Sequence, residues 1–160
     1  MTVISVVKDP ENQKVIITAR FEASAERVWR LWSDPIQLER WWGPPAQLMT
    51  VVEHDLKPGG RVSYFVTGSD SHRTYGWWDV RTVEPPHRLD FDLGDARIPT
   101  VAVRVEIYER GGTAFMTIES TLPSAEAMAT LLGMGFDRGM ATAVGQIDAV
   151  LHIDRGTGSL

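Results

Sequence analysis

ARFEASAERVWRLWSDPIQLERWWGP, residues 19–44, is the most informative part of this sequence, because it predicts two short helices directly after a strand. Ser24 is a favourable N-cap for the first helix, although Arg27 stands where a capping box would have Glu or Gln. Pro35 ends this helix, because a residue that precedes proline avoids the α conformation. Proline is also favoured at the start of a helix, so a second helix is predicted over residues 36–41.

On both sides of this stretch the sequence alternates between apolar and polar residues, which is the period of a β-strand. The turn-forming clusters DPENQ, KPGG, EPPH and RGG separate the alternating runs. Short connections between such strands favour an antiparallel meander with one face in water. The predicted strands cover residues 3–7, 14–22, 48–56, 61–67, 74–83, 88–93, 101–109 and 113–121.

After residue 123 the apolar period changes to about 3.6, which predicts one long amphipathic helix. Its apolar positions run from Met128 to Leu151. Glycines at positions 133, 135, 139 and 145 interrupt it, and each costs about 1 kcal/mol relative to alanine. We therefore expect either strong packing against the sheet or a bend in the first half of the helix.

The predicted fold is α+β, with a curved antiparallel sheet of about six to seven strands wrapped on the long C-terminal helix. Two short helices follow the first main strand. The length of 160 residues fits a single domain over residues 1–160. We expect its core over about residues 14–152 and a flexible tail over residues 155–160, which are polar and rich in glycine.

Composition excludes several classes of function. The net charge of −5 and the pI of about 5.3 are opposite to the basic surface that nucleic-acid binding requires. The chain has no cysteine, so it has no disulfide, no thiolate metal ligand and no cysteine nucleophile. No apolar run approaches the ~20 residues of a membrane helix, and the N-terminus lacks a secretory pattern. We therefore expect no membrane insertion and a cytoplasmic location.

Five segments in chain order carry a family resemblance. They are ASAERVW at 23–29, DPIQLERWWGP at 34–44, DLKPGG at 55–60, EPPHRL at 84–89 and MGFDRGMATAVGQIDAVL at 134–151. With them the chain resembles the START-like (SRPBCC) superfamily, and most closely the branch named for the activator of heat-shock protein 90 ATPase homologue. The resemblance covers about residues 14–151.

This resemblance implies a helix-grip fold, also called Bet v 1-like, with a cavity between helix and sheet. The superfamily includes lipid carriers, polyketide cyclases, hormone receptors, antibiotic-binding resistance proteins and a chaperone activator. Because one fold can host many functions, the resemblance implies no particular reaction. It also implies that Trp41 plugs the end of the barrel, and we expect Trp42 near the rim of the pocket.

The six tryptophans indicate an interior with large aromatic surfaces. Trp29 and Trp32, on the first helix, are expected in the core. Trp77 and Trp78 are neighbours on a strand and must face opposite sides, and the alternation along that strand favours Trp78 inward. The residues predicted to line the pocket are Trp42, His54, Tyr64, Trp78, Phe91, Val103, Phe136 and Met140.

An enzymatic function would depend on His54. This residue faces the cavity if Val52 and Leu56 do, because the three alternate along one strand. An inward histidine could act as a general base or orient a ligand; alternatively, it is a structural residue bonded to a backbone carbonyl. The sequence has no histidine pair with metal-ligand spacing and no nucleophile or phosphate-loop motif, so no metal and no other cofactor is predicted.

The leading hypothesis is binding of a small hydrophobic or aromatic ligand in the cavity, with no catalysis assigned. Aromatic and aliphatic side chains would supply most of the affinity, and His54 and Tyr64 would orient the ligand. Two alternatives stay open. One is a cyclase or hydrolase that uses His54 with a nearby carboxylate, and the other is a module that contacts a chaperone. The sequence also leaves a homodimer open.

Overall fold

The computed structural model of this chain describes residues 3–45 and 47–158, with the backbone alone for Ile4 and residues 153–158. Within these residues, strands β1 to β8 cover Val3–Asp9, Lys14–Phe21, Leu48–His54, Arg61–Thr67, Arg73–Glu84, Arg88–Asp95, Ile98–Arg110 and Thr113–Thr121. Helices α1 to α5 cover Ala25–Ser33, Pro35–Trp41, Ala125–Gly133, Phe136–Gly145 and Ile147–Gly158. The two short helices stand between β2 and β3, where they were predicted.

The strands of the described residues form one antiparallel sheet in the order β1-β2-β8-β7-β6-β5-β4-β3. From β3 to β8 each strand pairs with the next in sequence, and β8 then pairs with β2. The α+β class and the antiparallel sheet are confirmed, and the sheet has eight strands where six to seven were predicted. Strands β1 and β3 form its two edges.

Alternation along the strands determines which side chains face the helices. The alternate apolar residues of β7, from Val101 to Ile107, are each at most 1% exposed. Arg104 and Glu106, between them in sequence, are exposed on the opposite face. The buried apolar residues of the sheet and those of the helices belong to one core, because both sets pack against each other.

The C-terminal helical region is divided into three segments and is not the single long helix that was predicted. The first break is at Gly135, whose φ of +84° is a left-handed conformation that glycine adopts without strain. The bend therefore lies in the first half, as the glycine positions indicated. The second break is at Gln146, whose backbone N–H donates to the Ala143 carbonyl three residues earlier, at 3.0 Å.

The expectation of a single domain with a flexible tail stays a prediction. Residues 155–158 belong to helix α5. Residues 159 and 160 lie outside the described residues.

Tryptophans fill one part of the space between the sheet and the helices. Trp32 and Trp41 are both 0% exposed, and their rings meet edge to face with centroids 4.7 Å apart. Trp78 stacks on Phe91 at 4.2 Å, with 18° between the ring planes. Trp29 is 7% exposed, so the core positions predicted for the first helix are confirmed. Trp32, Trp41, Trp78 and Phe91 therefore form a packed aromatic cluster that leaves no room for a ligand between its rings.

Candidate functional site

A cavity of about 570 Å³ lies between strands β4, β5 and β6, helix α4 and the loop that follows α2. Sites that bind small molecules commonly have volumes of roughly 300–1,000 Å³. Its surface is predominantly apolar. The lining residues are Trp42, Gly43, Pro44, Pro45, Gln47, Tyr64, Val66, Thr74, Tyr75, Gly76, Leu93, Asp95, Arg97, Ile98, Phe136, Gly139, Met140, Thr142 and Ala143.

Small residues leave the helix side of the cavity open. A Cβ atom added to Gly139 would have no neighbouring atom within 4 Å, so α4 presents bare backbone at this point. Ala143 follows one turn later on the same face of the helix, and its side chain is a single methyl group. Helix α4 therefore does not fill the space between itself and the sheet.

Trp42 forms the wall between the cavity and the packed aromatic cluster. It is the C-cap residue of α2. Its ring packs edge to face against Trp78, with centroids 5.1 Å apart, and against Tyr64, with centroids 6.5 Å apart. One face of the cavity is therefore a large aromatic surface.

Gln146 ties this wall to the C-terminal helices. Its Nε2 donates to the carbonyl oxygens of Trp41, at 3.0 Å, and Gly43, at 2.8 Å. Gln146 lies at the break between α4 and α5, outside either helix. The break thus provides the side chain that holds the loop after α2 in place.

Tyr64, Gly76 and Asp95 lie side by side on strands β4, β5 and β6 at the floor of the cavity. Tyr64 pairs with Gly76, and Gly76 pairs with Asp95. A Cβ atom on Gly76 would lie 2.7 Å from the ring and the hydroxyl oxygen of Tyr64. The glycine therefore allows the phenol ring to lie across the middle strand.

The hydroxyl group of Tyr64 is a neutral hydrogen-bond donor. Burial raises the pKa of Tyr64 to about 12, and the charge of Asp95 acts in the same direction. The indole N–H groups of Trp42 and Trp78 face the phenol and act to lower this pKa. Trp78 Nε1 is buried and makes no hydrogen bond of ordinary geometry with the described residues. The Tyr64 hydroxyl and these two indole N–H groups therefore lie together at one end of the cavity, and Trp78 itself is outside the cavity lining.

Asp95 and Arg97 form an ion pair in the turn between β6 and β7. Asp95 Oδ1 accepts hydrogen bonds from the backbone N–H of Arg97, at 2.8 Å, and from its Nε, at 3.1 Å. Asp95 Oδ2 accepts from Arg97 Nη2 at 2.9 Å. Burial acts to raise the pKa of Asp95, but the hydrogen bonds and charge of Arg97 outweigh it and lower that pKa below 3.8. The Asp95 carboxylate is therefore ionised at neutral pH.

The structure brings half of the eight predicted pocket residues together at the cavity. Those that line it are Trp42, Tyr64, Phe136 and Met140. Those buried in the core outside its lining are Trp78, Phe91 and Val103. Their inward direction follows the predicted alternation, but the ring of Trp42 packs against Trp78 and Phe91 and takes their place in the wall.

His54, which was predicted at the cavity, lies outside its lining. Strand β3 has a register shift between Val51 and Glu53, and after this bulge His54 pairs with Val62, which is buried outside the cavity lining. Val52, which was expected to face inward with His54, is 66% exposed. His54 Nε2 forms a hydrogen bond of 3.1 Å with the carbonyl oxygen of Trp32, which is the structural alternative considered for this residue.

Sequence reasoning missed Asp95, Arg97 and Gly139. The sequence predicts one strand that ends at residue 93 and another that begins at residue 101, with residues 94–100 as the connection between them. In the structure β6 and β7 extend into this connection and leave a tight turn. The Asp-x-Arg spacing was the available signal, because aspartate side chains commonly bond the backbone two residues further on.

Among the described residues, no group of three or more His, Asp or Glu side chains lies close enough together to hold a metal ion. No helix in that part of the chain is long and apolar enough to cross a membrane.

An antiparallel sheet that holds C-terminal helices against its inner face, with a cavity beside them, is the helix-grip fold of START-like proteins. The family model described as Activator of Hsp90 ATPase homolog 1-like protein matches residues 22–152, and this chain belongs to that family. The resemblance read from the five sequence segments is therefore confirmed.

Solved structures agree with this assignment. Protein Ms6760 from Mycobacterium smegmatis is 39% identical, with a TM-score of 0.84 over 93% of this chain and 96% of that one. A protein from Arthrobacter aurescens, solved by NMR, is 40% identical, with a TM-score of 0.90 over 94% and 92%. The AHSA1 protein from Silicibacter pomeroyi, at 21% identity and a TM-score of 0.69 over 88% and 99%, shares the fold. No curated protein matches the chain.

Proposed function

We propose that this chain binds a small hydrophobic or aromatic molecule in the cavity beside α4. The observation that carries the proposal is the cavity itself, about 570 Å³ of predominantly apolar space next to a tightly packed aromatic cluster. Removing apolar ligand surface from water is favourable by roughly 25 cal/mol per Å². A ligand that fills this space would therefore gain most of its affinity from burial.

The cavity lining contains apolar residues, which would contact the body of a ligand, and polar residues, which would bond its polar groups. Leu93, Phe136 and Met140 offer apolar contact, and methionine adapts its shape to different ligands. Trp42 offers a broad ring against which a flat molecule can pack. Tyr64 and the Asp95 carboxylate are polar groups that would orient the ligand.

A direct test uses the uncharged fluorophore N-phenyl-1-naphthylamine, whose emission rises in apolar surroundings. Gly139→Leu should weaken its binding by about tenfold or more, a loss of about 1.4 kcal/mol, because it adds a bulky side chain at a residue that lines the cavity. Gly145→Leu is the matched control: it lies on the same helix, also has free space around a Cβ atom, and is outside the lining. Equal binding by both variants and the unmodified chain would exclude this cavity as the site.

A thermal-shift screen against lipids, polyketides and aromatic compounds would then identify the ligand class. A ligand that binds the folded chain raises its melting temperature by mass action. If no compound in any of these classes stabilises the protein, the proposal loses its support.

The alternatives have weaker support. An enzyme that uses His54 is disfavoured, because that side chain is bonded to the backbone of Trp32 and lies outside the cavity lining. The family name suggests a chaperone contact, which a binding measurement with purified heat-shock protein 90 would test. That contact, a homodimer and a cytoplasmic location stay predictions.

A further inference from the structure

The two side chains of the Asp95–Arg97 ion pair are exposed to different extents. The Asp95 side chain is 17% exposed, whereas the Arg97 side chain is 63% exposed. The carboxylate therefore lies further inside than the guanidinium, which extends towards solvent. A molecule that enters the cavity meets a negative charge at the inner end of the pair.

The positive charge of Arg97 is already engaged. Both its Nε and its Nη2 donate to Asp95, and the backbone N–H of Arg97 adds a third hydrogen bond to the same carboxylate. An incoming carboxylate would have to compete with this preformed pair while approaching the charge of Asp95. Coulomb repulsion between like charges strengthens in an interior of low dielectric constant, so a carboxylate is disfavoured at this position.

A hydroxyl group meets matching partners here. An ionised carboxylate can accept about four hydrogen bonds, and Arg97 supplies three of those on Asp95. Tyr64 lines the same floor of the cavity as a neutral donor. A ligand hydroxyl can donate to Asp95 and accept from Tyr64, because one oxygen performs both roles.

We infer that this cavity selects uncharged apolar ligands that carry a hydroxyl group over ligands of the same shape that carry a carboxylate, and that Asp95 determines this selectivity. The inference rests on the proposed function, because it concerns the same cavity. It names the chemical class of the ligand's polar group, and it assigns a specificity role to a residue that sequence reasoning did not single out.

Three probes with one aromatic body test the inference: naphthalene, 2-naphthol and 2-naphthoate, titrated calorimetrically at pH 7.5. We expect 2-naphthol to bind at least about tenfold more tightly than 2-naphthoate, a difference of about 1.4 kcal/mol. Asp95→Asn should reduce this ratio to about threefold or less, because asparagine keeps an oxygen for the Arg97 backbone N–H but removes the charge. Asp92→Asn, which removes a charge from the opposite face of β6, should leave the ratio unchanged.

A second variant tests the same idea from the other side of the ion pair. Arg97→Gln leaves the charge of Asp95 without its partner, so the preference for 2-naphthol should widen. Arg81→Gln is the control, because Arg81 pairs with Asp92 outside the cavity lining, at 3.4 Å.

The outcomes separate this inference from the proposed function. If 2-naphthoate binds as tightly as 2-naphthol while naphthalene also binds, the selectivity is wrong and the cavity remains a binding site. An unchanged ratio in Asp95→Asn overturns the role of Asp95. If none of the three probes binds, the proposed function fails, and the inference fails with it.

Discussion

The indole ring of Trp77 covers Gly94, its paired residue on the neighbouring strand, on the outer face of the sheet. A Cβ atom on residue 94 would overlap the indole nitrogen and ring carbons of Trp77. The glycine therefore leaves room for an aromatic ring that would otherwise stand in solvent. Trp77 in turn lies beneath the guanidinium of Arg61, 5.8 Å from the ring centroid.

Gly94→Ala should destabilise the chain by about 1–3 kcal/mol, because the added methyl group displaces the Trp77 ring from its packed position. Urea denaturation would measure the loss. Gly145→Ala is the matched control, since a Cβ atom there meets nothing within 4 Å. That substitution should be neutral or stabilise the helix by up to ~1 kcal/mol. Equal stability of the two variants would contradict the packing described for Trp77.

The raised pKa of Tyr64 predicts a loss of stability at high pH. Because its folded-state pKa is about 12 and its ordinary value is 10.0, the stabilisation is complete below pH 10 and disappears as the pH rises towards 12. The size of the effect is roughly 2–3 kcal/mol. Stability measured from pH 8 upwards should fall more steeply for the unmodified chain than for Tyr64→Phe. Parallel curves for the two proteins would show that the phenol ionises freely in the folded state.

The carboxylate of Asp90 predicts a loss of stability at low pH. Burial acts to raise its pKa, but the hydrogen bonds from Arg88, at 2.9 Å, and Arg104, at 3.0 Å, lower it below 3.8. The stabilisation is therefore present above pH 3.8 and is lost as the pH falls through the folded-state value. Asp90→Asn should cost about 1–3 kcal/mol at pH 7 and progressively less at lower pH.

The pH series for Asp90→Asn needs a comparison on the same strand. Asp92→Asn removes a carboxylate whose ion pair with Arg81 is longer, at 3.4 Å. We expect a smaller loss at pH 7, because exposed pairs of this kind contribute about 0–1 kcal/mol. A larger loss of stability from Asp92→Asn than from Asp90→Asn would contradict the prediction that Asp90 contributes more to the free energy of unfolding.

Gln146→Ala should destabilise the chain by about 1–3 kcal/mol, because the carbonyl oxygens of Trp41 and Gly43 lose their donor. Gln146→Glu should cost more, since a carboxylate cannot donate to either oxygen. The exposed Gln47 offers a control of the same residue type, and Gln47→Ala should change the denaturation midpoint little. A neutral Gln146→Ala would show that the loop after α2 holds its position without this side chain.

Much of the fold could be predicted from local pattern. The strands at 61–67 and 113–121 have the predicted bounds, because turn-forming residues stand at both ends of each. The helix after Ser24 begins where predicted, since the serine side chain accepts a hydrogen bond from the backbone N–H of Arg27 at 3.1 Å. These features depend on residues that are close in sequence, so local sequence patterns are enough to predict them.

The site was harder to predict, because its geometry depends on contacts between distant segments. His54 pairs with the buried Val62, one inward position beyond Tyr64 on β4, so it reaches the backbone of Trp32 and not the cavity, and no local signal marks the extra residue in β3. Asp95 reaches the cavity floor through its register with Gly76 on the next strand. Trp42 blocks access to Trp78 only because α2 is folded back over the sheet. Alternation can predict which residues point inward, but not which of them remain uncovered.

The two breaks in the C-terminal region leave α4 as an independent piece of only ten residues. A helix of this length has little stability of its own, so its amide protons are protected mainly by what it packs against. Where Gly139 faces empty space, that support is missing. A bound molecule would supply it, and hydrogen–deuterium exchange in α4 should slow on binding while exchange in the aromatic cluster stays the same. The exchange rate of the α4 amide protons would then report whether the cavity is occupied.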